Sequence, residues 1–251
     1  MRKHFMLFWV VFICVTFSEL TTMAQGIIVY KKNGEEIVVP YSALDRIETY
    51  TADENYEEID GHECVDLGLS IRWATCNIGA YSPEEFGGYY AWGETEEKNN
   101  YIWENYKWCK GSYKSFTKYC TNSSYGTIDN KMFLDTEDDV AHAKWGGGWR
   151  MPTENEINEL IKKCTWKWTT LNGINGYFIV GPNGNNIFLP AAGMREGENV
   201  YHQGIIGLYW SATLIEKSNP DAYYLDFEEG NHGQYYVTDR SWGLPVRPVI
   251  E

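Results

Sequence analysis

Short apolar runs broken by glycine, asparagine and proline make up most of the chain, and one stretch carries a clear helical period. In PTENEINELIKKC, Ile157, Leu160, Ile161 and Cys164 fall at i, i+3, i+4 and i+7, and Thr153 with Glu156 forms a capping box. That spacing predicts a helix over 152–164. The stretch DTEDDVAHAKW predicts the start of another helix with Asp135 as N-cap, since acidic side chains suit the positive end of a helix. Elsewhere the pattern is β. In IIVYKKNGEEIVVP, two β-branched runs flank Lys32-Asn33-Gly34-Glu35, and Asn-Gly accepts the positive φ values of a tight hairpin turn. VDLGLSIRWAT and FGGYYAWGE each predict a strand, and YFIVGPNGNNIFLP predicts a hairpin around Pro182-Asn183-Gly184. LYWSATL precedes a polar loop, and YYLDFEEGNHGQYYV predicts a hairpin turning over 230–233. Alternation along the latter points Tyr223, Leu225 and Phe227 inward and Tyr224, Asp226 and Glu228 outward. PVRPVIE supplies a last strand. One or two helices followed by antiparallel strands define an α+β domain.

The same pattern divides the chain. Residues 1–24 open with Arg2 and Lys3, run apolar from Phe5 to Phe17 and end in Thr22-Met23-Ala24, the layout of a signal peptide cleaved after Ala24. A membrane anchor needs about 20 apolar residues, and this run is shorter and closes with Ser18-Glu19. The protein is therefore expected to be exported to the periplasm, cell surface or exterior, with no membrane span after cleavage. Residues 25–50 form a small β-hairpin module, 51–61 (TADENYEEIDG) reads as an acidic linker, and 62–251 is the main domain. Within it, 96–130 is rich in Lys, Asn, Ser and Tyr and reads as a long loop excursion.

Composition narrows the chemistry. Thirty-five Asp and Glu against 21 Lys and Arg give a net charge of -14, which excludes nucleic acid as an expected partner, because phosphate binding rests on clustered cations. Aromatic residues are 16% of the chain, so they either fill a core or cover a binding surface. Past the leader stand Cys64, Cys76, Cys109, Cys120 and Cys164, an odd number in an exported chain and without zinc spacing. Cys109 and Cys120 are candidates for a disulfide, with free buried thiols as the alternative. Gly146-Gly147-Gly148, between Trp145 and Trp149, lacks the Lys-Ser or Lys-Thr of a phosphate loop. It is expected to reverse the chain and place both indoles in one core.

The segments CVDLGLSIRWATCNIGAYSPEEFGGYYAWGE, WGGGWRMPTENEINELIKKCTW, NGYFIVGPNGNNIFLPAAGMR, LYWSAT and GLPVRPV, taken in order, closely resemble the Fibrobacter succinogenes major paralogous domain. This is an exported bacterial family often found on surface-associated proteins. The resemblance runs from about residue 63 to 249 and implies a C-type-lectin-like fold, in which a helix pair packs on antiparallel strands and long loops carry the binding site. Residues 25–50 also resemble short modules that precede various domains in exported bacterial proteins. Cys64 stands where the family usually has an aromatic residue, which suggests that it is the odd thiol.

Under that resemblance the segments 191–209, 216–221 and 231–242 should gather at one end of the sheet and display Arg195, Tyr201, His202, Asn231, His232, Tyr236, Arg240 and Trp242. Aromatic platforms beside planar donors suit a glycan or a peptide. Calcium is the one cofactor with candidate ligands, Asn219, Asp221 and Asp239, although the calcium motifs of lectins are absent and Asn-Pro-Asp is also an ordinary loop sequence. WRMPTENE also resembles a stretch of formylglycine-generating oxidases, but their late copper-binding cysteines have no counterpart after Cys164. Glu84-Glu85 and Glu228-Glu229 read as solvated acidic surface rather than glycosidase carboxylates. The expected function is recognition of a glycan or surface protein without catalysis. The alternatives are a structural part of a surface assembly or an enzyme of the formylglycine-generating fold.

Overall fold

A computed structural model describes residues 26–30, 36–40, 56–234 and 237–251. The chain forms two units, Met1–Thr51 and Ala52–Glu251. In the first, β1 (Gly26–Tyr30) and β2 (Glu36–Pro40) pair antiparallel with Tyr30 opposite Glu36, the hairpin that Asn-Gly predicts. The leader and the turn itself lie outside the described residues. Among the described residues no helix is long and apolar enough to cross a membrane.

The second unit starts inside the segment read as a linker. There β3 (Tyr56–Ile59) turns through Asp60-Gly61, both at positive φ, into β4 (His62–Asp66). Three of the four β3 residues are exposed, so pairing to β4 rather than burial of a face holds this strand. β5 (Arg72–Ala74) follows β4. FGGYYAWGE forms no strand beyond a single bridge between Tyr90 and Leu244. The 96–130 excursion contains one short helical turn, Trp103–Asn105, and is held together by a cluster of Tyr89, Tyr101, Tyr106, Phe116 and Cys120.

Two helices come next. Asp135 does not cap a helix through its side chain: it precedes the helical turn Thr136–Asp138, and Asp139 caps α1 (Val140–Trp145) instead, accepting from the Ala141 and His142 N–H groups. The capping box on α2 (Glu154–Lys163) is formed as the spacing predicts, with Ile157 and Leu160 buried. β6 (Thr165–Leu171), β7 (Ile174–Val180) and β8 (Asn186–Pro190) make a three-stranded antiparallel sheet in that order. Its β7–β8 turn is the one read from Pro-Asn-Gly. A small hairpin follows, β9 (Met194–Glu196) with β10 (Asn199–Tyr201). Then β11 (Ile206–Leu214) pairs with β12 (Asp221–Glu228), whose other side takes β13 (Asn231–Gln234) at its end and β14 (Val237–Asp239) at its start. The last strand, β15 (Val249–Ile250), returns to β5, so one sheet runs β15-β5-β4-β3.

The fold is therefore α+β and mostly antiparallel sheet, with cores on both faces of β12. Leu225 and Phe227 pack with Ile157 and Leu160 of α2 and with Trp73, Tyr177 and Leu189. On the opposite face Ala222 and Tyr224 pack with Trp92, Val140 and Trp210. Tyr224 is therefore buried rather than outward, while Tyr223 and Asp226 are half-buried. Because both faces are covered, simple inside-outside alternation fails on this strand.

The triple glycine is architecture. The Trp145 and Trp149 rings meet edge to face at 5.0 Å, and His62 from β4 stacks on Trp145 at 3.9 Å. Gly147 has φ +54, and a Cβ there would collide with the Asp60 carboxylate in the β3–β4 turn. Glycine is thus favoured by its φ, and any Cβ would also have to push the Asp60 carboxylate aside. The five cysteines from Cys64 onward are all free thiols, so the candidate Cys109–Cys120 disulfide is not formed. The Cys109 thiol donates to the Trp103 carbonyl and the Cys120 thiol to that of Asn122. Cys64 is no odder than the rest, and burial pushes its thiol up to about 11.

Candidate functional site

Asp221 opens β12 and Asp239 closes β14, and the register of this pair sets the two residues directly opposite each other. Like charges in that position repel. Burial, then Asp221 and Glu196, hold the Asp239 carboxyl above its ordinary range, while a hydrogen bond from the Trp103 side chain partly offsets them. Ser218 Oγ donates to Asp221 Oδ2 at 2.5 Å. Trp242 follows Asp239 in a turn closed by its own N–H on the Asp239 carbonyl, and its indole is half-buried. Arg195 on β9 exchanges two backbone hydrogen bonds with Gly243, of 2.8 and 2.9 Å. Its guanidinium lies over the Tyr101 ring at 5.4 Å, and its buried Nε has no partner among the described residues. The chain thus brings Arg195, Asp221, Asp239 and Trp242 to one end of the sheet, and Trp103 and Glu196 join them.

The other candidates are placed variously, Tyr201 on β10 next to the Val200 that pairs with Arg195. Tyr201 and His202 are exposed, 6.3 Å apart between ring centroids, and the His202 carbonyl accepts from the Ile206 N–H. Ile206 pairs with Glu228, as does Asn231 from the next strand. Asn231 therefore belongs to the far end of β12, about 20 Å from Asp221 at the usual rise of an extended strand, whereas Tyr201 pairs with Met194 beside Arg195 on the β9–β10 hairpin. His232 stacks on Trp166 at 5.2 Å and touches Tyr177, and burial lowers its pKa. Tyr236 lies outside the described residues.

Arg240 is a correction of a different kind. It is 0% exposed, its guanidinium sits 3.9 Å from the Phe116 ring centroid and also faces Trp92 and Tyr106, and Nη1 donates to the Tyr119 carbonyl. Burial depresses its pKa. Such a side chain fixes the aromatic excursion onto the sheet; it is not displayed to a ligand.

Of the calcium candidates, Asn219 has its side chain committed elsewhere. Asn219 is fully buried, its Oδ1 accepts from the Thr121 and Asn122 N–H groups at 2.8 and 3.0 Å, and Nδ2 donates to Thr121 Oγ1. With both lone pairs of Oδ1 committed, the Asn219 side chain offers no oxygen to an ion beside Asp221 and Asp239. Elsewhere Asp135, Glu137 and Asp138 lie within reach of one ion. Their charges are met by Lys118, with Lys107 and Lys131 adding to it, and Lys118 bonds both Asp135 and Asp138 at 2.6 Å.

Trp103 and Glu196 were not singled out from sequence. Trp103 stands in the loop excursion, where nothing local marks one indole among several as lying beside an acid of β14. Comparison with protein-family models, with curated proteins and with solved structures finds no match for this chain.

Proposed function

We propose that the protein is an exported recognition module that binds a glycan at the Trp103–Asp239–Trp242 end of its sheet, without turning it over. The observation carrying this reading is the Trp103 hydrogen bond to Asp239, opposite Asp221 and beside the half-buried Trp242 and Arg195. Indole faces stack on the C–H surfaces of sugars, while carboxylates and a guanidinium orient hydroxyls. A sheet-rich α+β domain, with α2 packed on the β11–β12–β13 sheet and a long aromatic loop region, supports a C-type-lectin-like arrangement. The resemblance to the Fibrobacter succinogenes paralogous domain supports surface association.

The test is a glycan and surface-protein binding screen, run with calcium and with chelator. Glycan hits that persist in chelator and are lost in a folded Trp242→Ala, Arg195→Ala variant are expected. Unchanged binding by that variant places the site elsewhere, and hits confined to proteins replace the glycan reading with an adhesive one.

A further inference from the structure

A cleft of about 690 Å³ opens between the 121–132 part of the excursion and the loop after β11, lined by Thr121, Asn122, Ser123, Ile128, Asn130, Met132, Glu216 and Lys217. Its walls are cross-braced. The buried Asn219 side chain holds the backbone of Thr121 and Asn122, and Thr121 Oγ1 donates to the Glu216 carbonyl at 2.7 Å. The facing strand is fixed as well, since the Met132 carbonyl accepts from the Leu214 N–H at 2.8 Å. The backbone of the cleft is therefore preorganised, and a ligand entering it has only the exposed side chains to order.

Its chemistry is specific. Among the described residues the side chains of Ser123, Asn130, Glu216 and Lys217 make no internal hydrogen bond. Together they present a hydroxyl, a carboxamide, one acceptor-only carboxylate and one donor-only ammonium, with no net charge. Between them lie an exposed Ile128 and a half-buried Met132. Balanced donors and acceptors around a small apolar strip match an uncharged sugar, whose hydroxyls both donate and accept and whose ring face is C–H-rich. Lys217 and Asp221 are four residues apart, so their Cα atoms are separated by at most about 14 Å, with the buried Asn219-Pro220 between them.

We infer that this cleft is a second saccharide subsite, and that the ligand is a chain of uncharged sugars long enough to reach from it to the Trp242 end. This rests on the glycan reading above. The experiment is calorimetric titration of the purified protein with ladders of neutral manno-, xylo- and cello-oligosaccharides of increasing length. Parent protein, an Asn130→Ala, Lys217→Ala variant and Trp242→Ala are compared, with folding checked by thermal melts. The expected result is that one ladder binds tenfold or more tightly at longer lengths, and that the cleft variant loses this gain while binding short members like the parent. Trp242→Ala should weaken every length. If the cleft variant matches the parent at all lengths, the subsite is refuted and the glycan reading stands. If no ladder and no other glycan binds, both are refuted. Binding of unrelated peptides in the cleft, abolished by the cleft variant, would refute the saccharide assignment alone.

Discussion

Arg150 grips Glu156 with both terminal guanidinium nitrogens, Nη2 to Oε1 at 2.5 Å and Nη1 to Oε2 at 2.8 Å, while Oε2 also accepts the Thr153 N–H that starts α2. One carboxylate thus serves the helix cap and the arginine that precedes it. Removing the Thr153 hydroxyl takes away one half of the box, so Thr153→Ala should destabilise by about 1 kcal/mol. Glu156→Ala, which strands Arg150 as well, should cost more. Urea unfolding of the two variants measures the order; equal stabilities would show that the double role is without consequence.

The same pair sets an acid limit. Burial pushes the Glu156 carboxyl up, but the Arg150 hydrogen bonds and the Thr153 N–H outweigh it and leave the pKa below its ordinary value. A depressed folded pKa contributes stability that is present above the unfolded pKa near 4.3 and is lost as pH falls through the folded value. The stability gap between parent and Glu156→Gln should therefore shrink below about pH 4. A gap independent of pH from 3 to 7 would contradict this assignment.

Asp226 has the opposite sign. Burial, and then Glu228, raise its carboxyl to about 6. Its contribution is most favourable below the unfolded pKa near 3.9 and fades as pH rises through the folded value. Asp226→Asn should accordingly stabilise the protein at pH 8 by about 1 kcal/mol, discounted for partial exposure, and by less at pH 4. Denaturant titrations at the two pH values are the check, and a variant less stable at pH 8 would overturn the expectation.

Trp149 is fully buried, donates its indole N–H to the Ile59 carbonyl at 3.2 Å and packs against Trp145. Trp149→Ala should cost about 3–5 kcal/mol. Gly147→Ala should cost about 1–2 kcal/mol or more, from positive φ and the collision with Asp60. Restoration of more than half of the Gly147→Ala loss by adding Asp60→Gly, measured against Asp60→Gly alone because Asp60 is itself at positive φ, would identify the collision as the larger share.

Mass mapping without reduction should return Cys109 and Cys120 as separately alkylated peptides, since each thiol already donates to a carbonyl in its own loop. A linked peptide would reinstate the disulfide.

What could be read in the sequence was what local chemistry encodes. The Thr153–Glu156 box and the Pro-Asn-Gly turn are statements about a few adjacent residues, and both are realised; β1 and β2 pair on either side of Asn33-Gly34, whose own turn lies outside the described residues. The turn at Asn172-Gly173, with both residues at positive φ between Leu171 and Ile174, is written in the same local chemistry. β3 was hidden because its acidic residues show no buried face; only pairing to β4 makes it a strand. Arg240 misled for a related reason. Its burial depends on Trp92, Tyr106 and Phe116 arriving from the distant excursion, and a charged side chain carries no local sign of such an enclosure. Of the expected surface, Arg195 and Trp242 lie with Asp221 and Asp239, while His232 is drawn to Trp166 instead.

The return of β15 to β5 bears on how the protein is made. Val249 pairs with Trp73 and lies in the same core as Trp73, Leu160 and Phe227, so the central sheet cannot close until nearly the whole unit has left the ribosome. Long-range pairing of this kind makes folding slow. A sheet completed by so distant a segment stays open until the residues between Trp73 and Val249 have been drawn together, so its closure is a late and cooperative event rather than a local one.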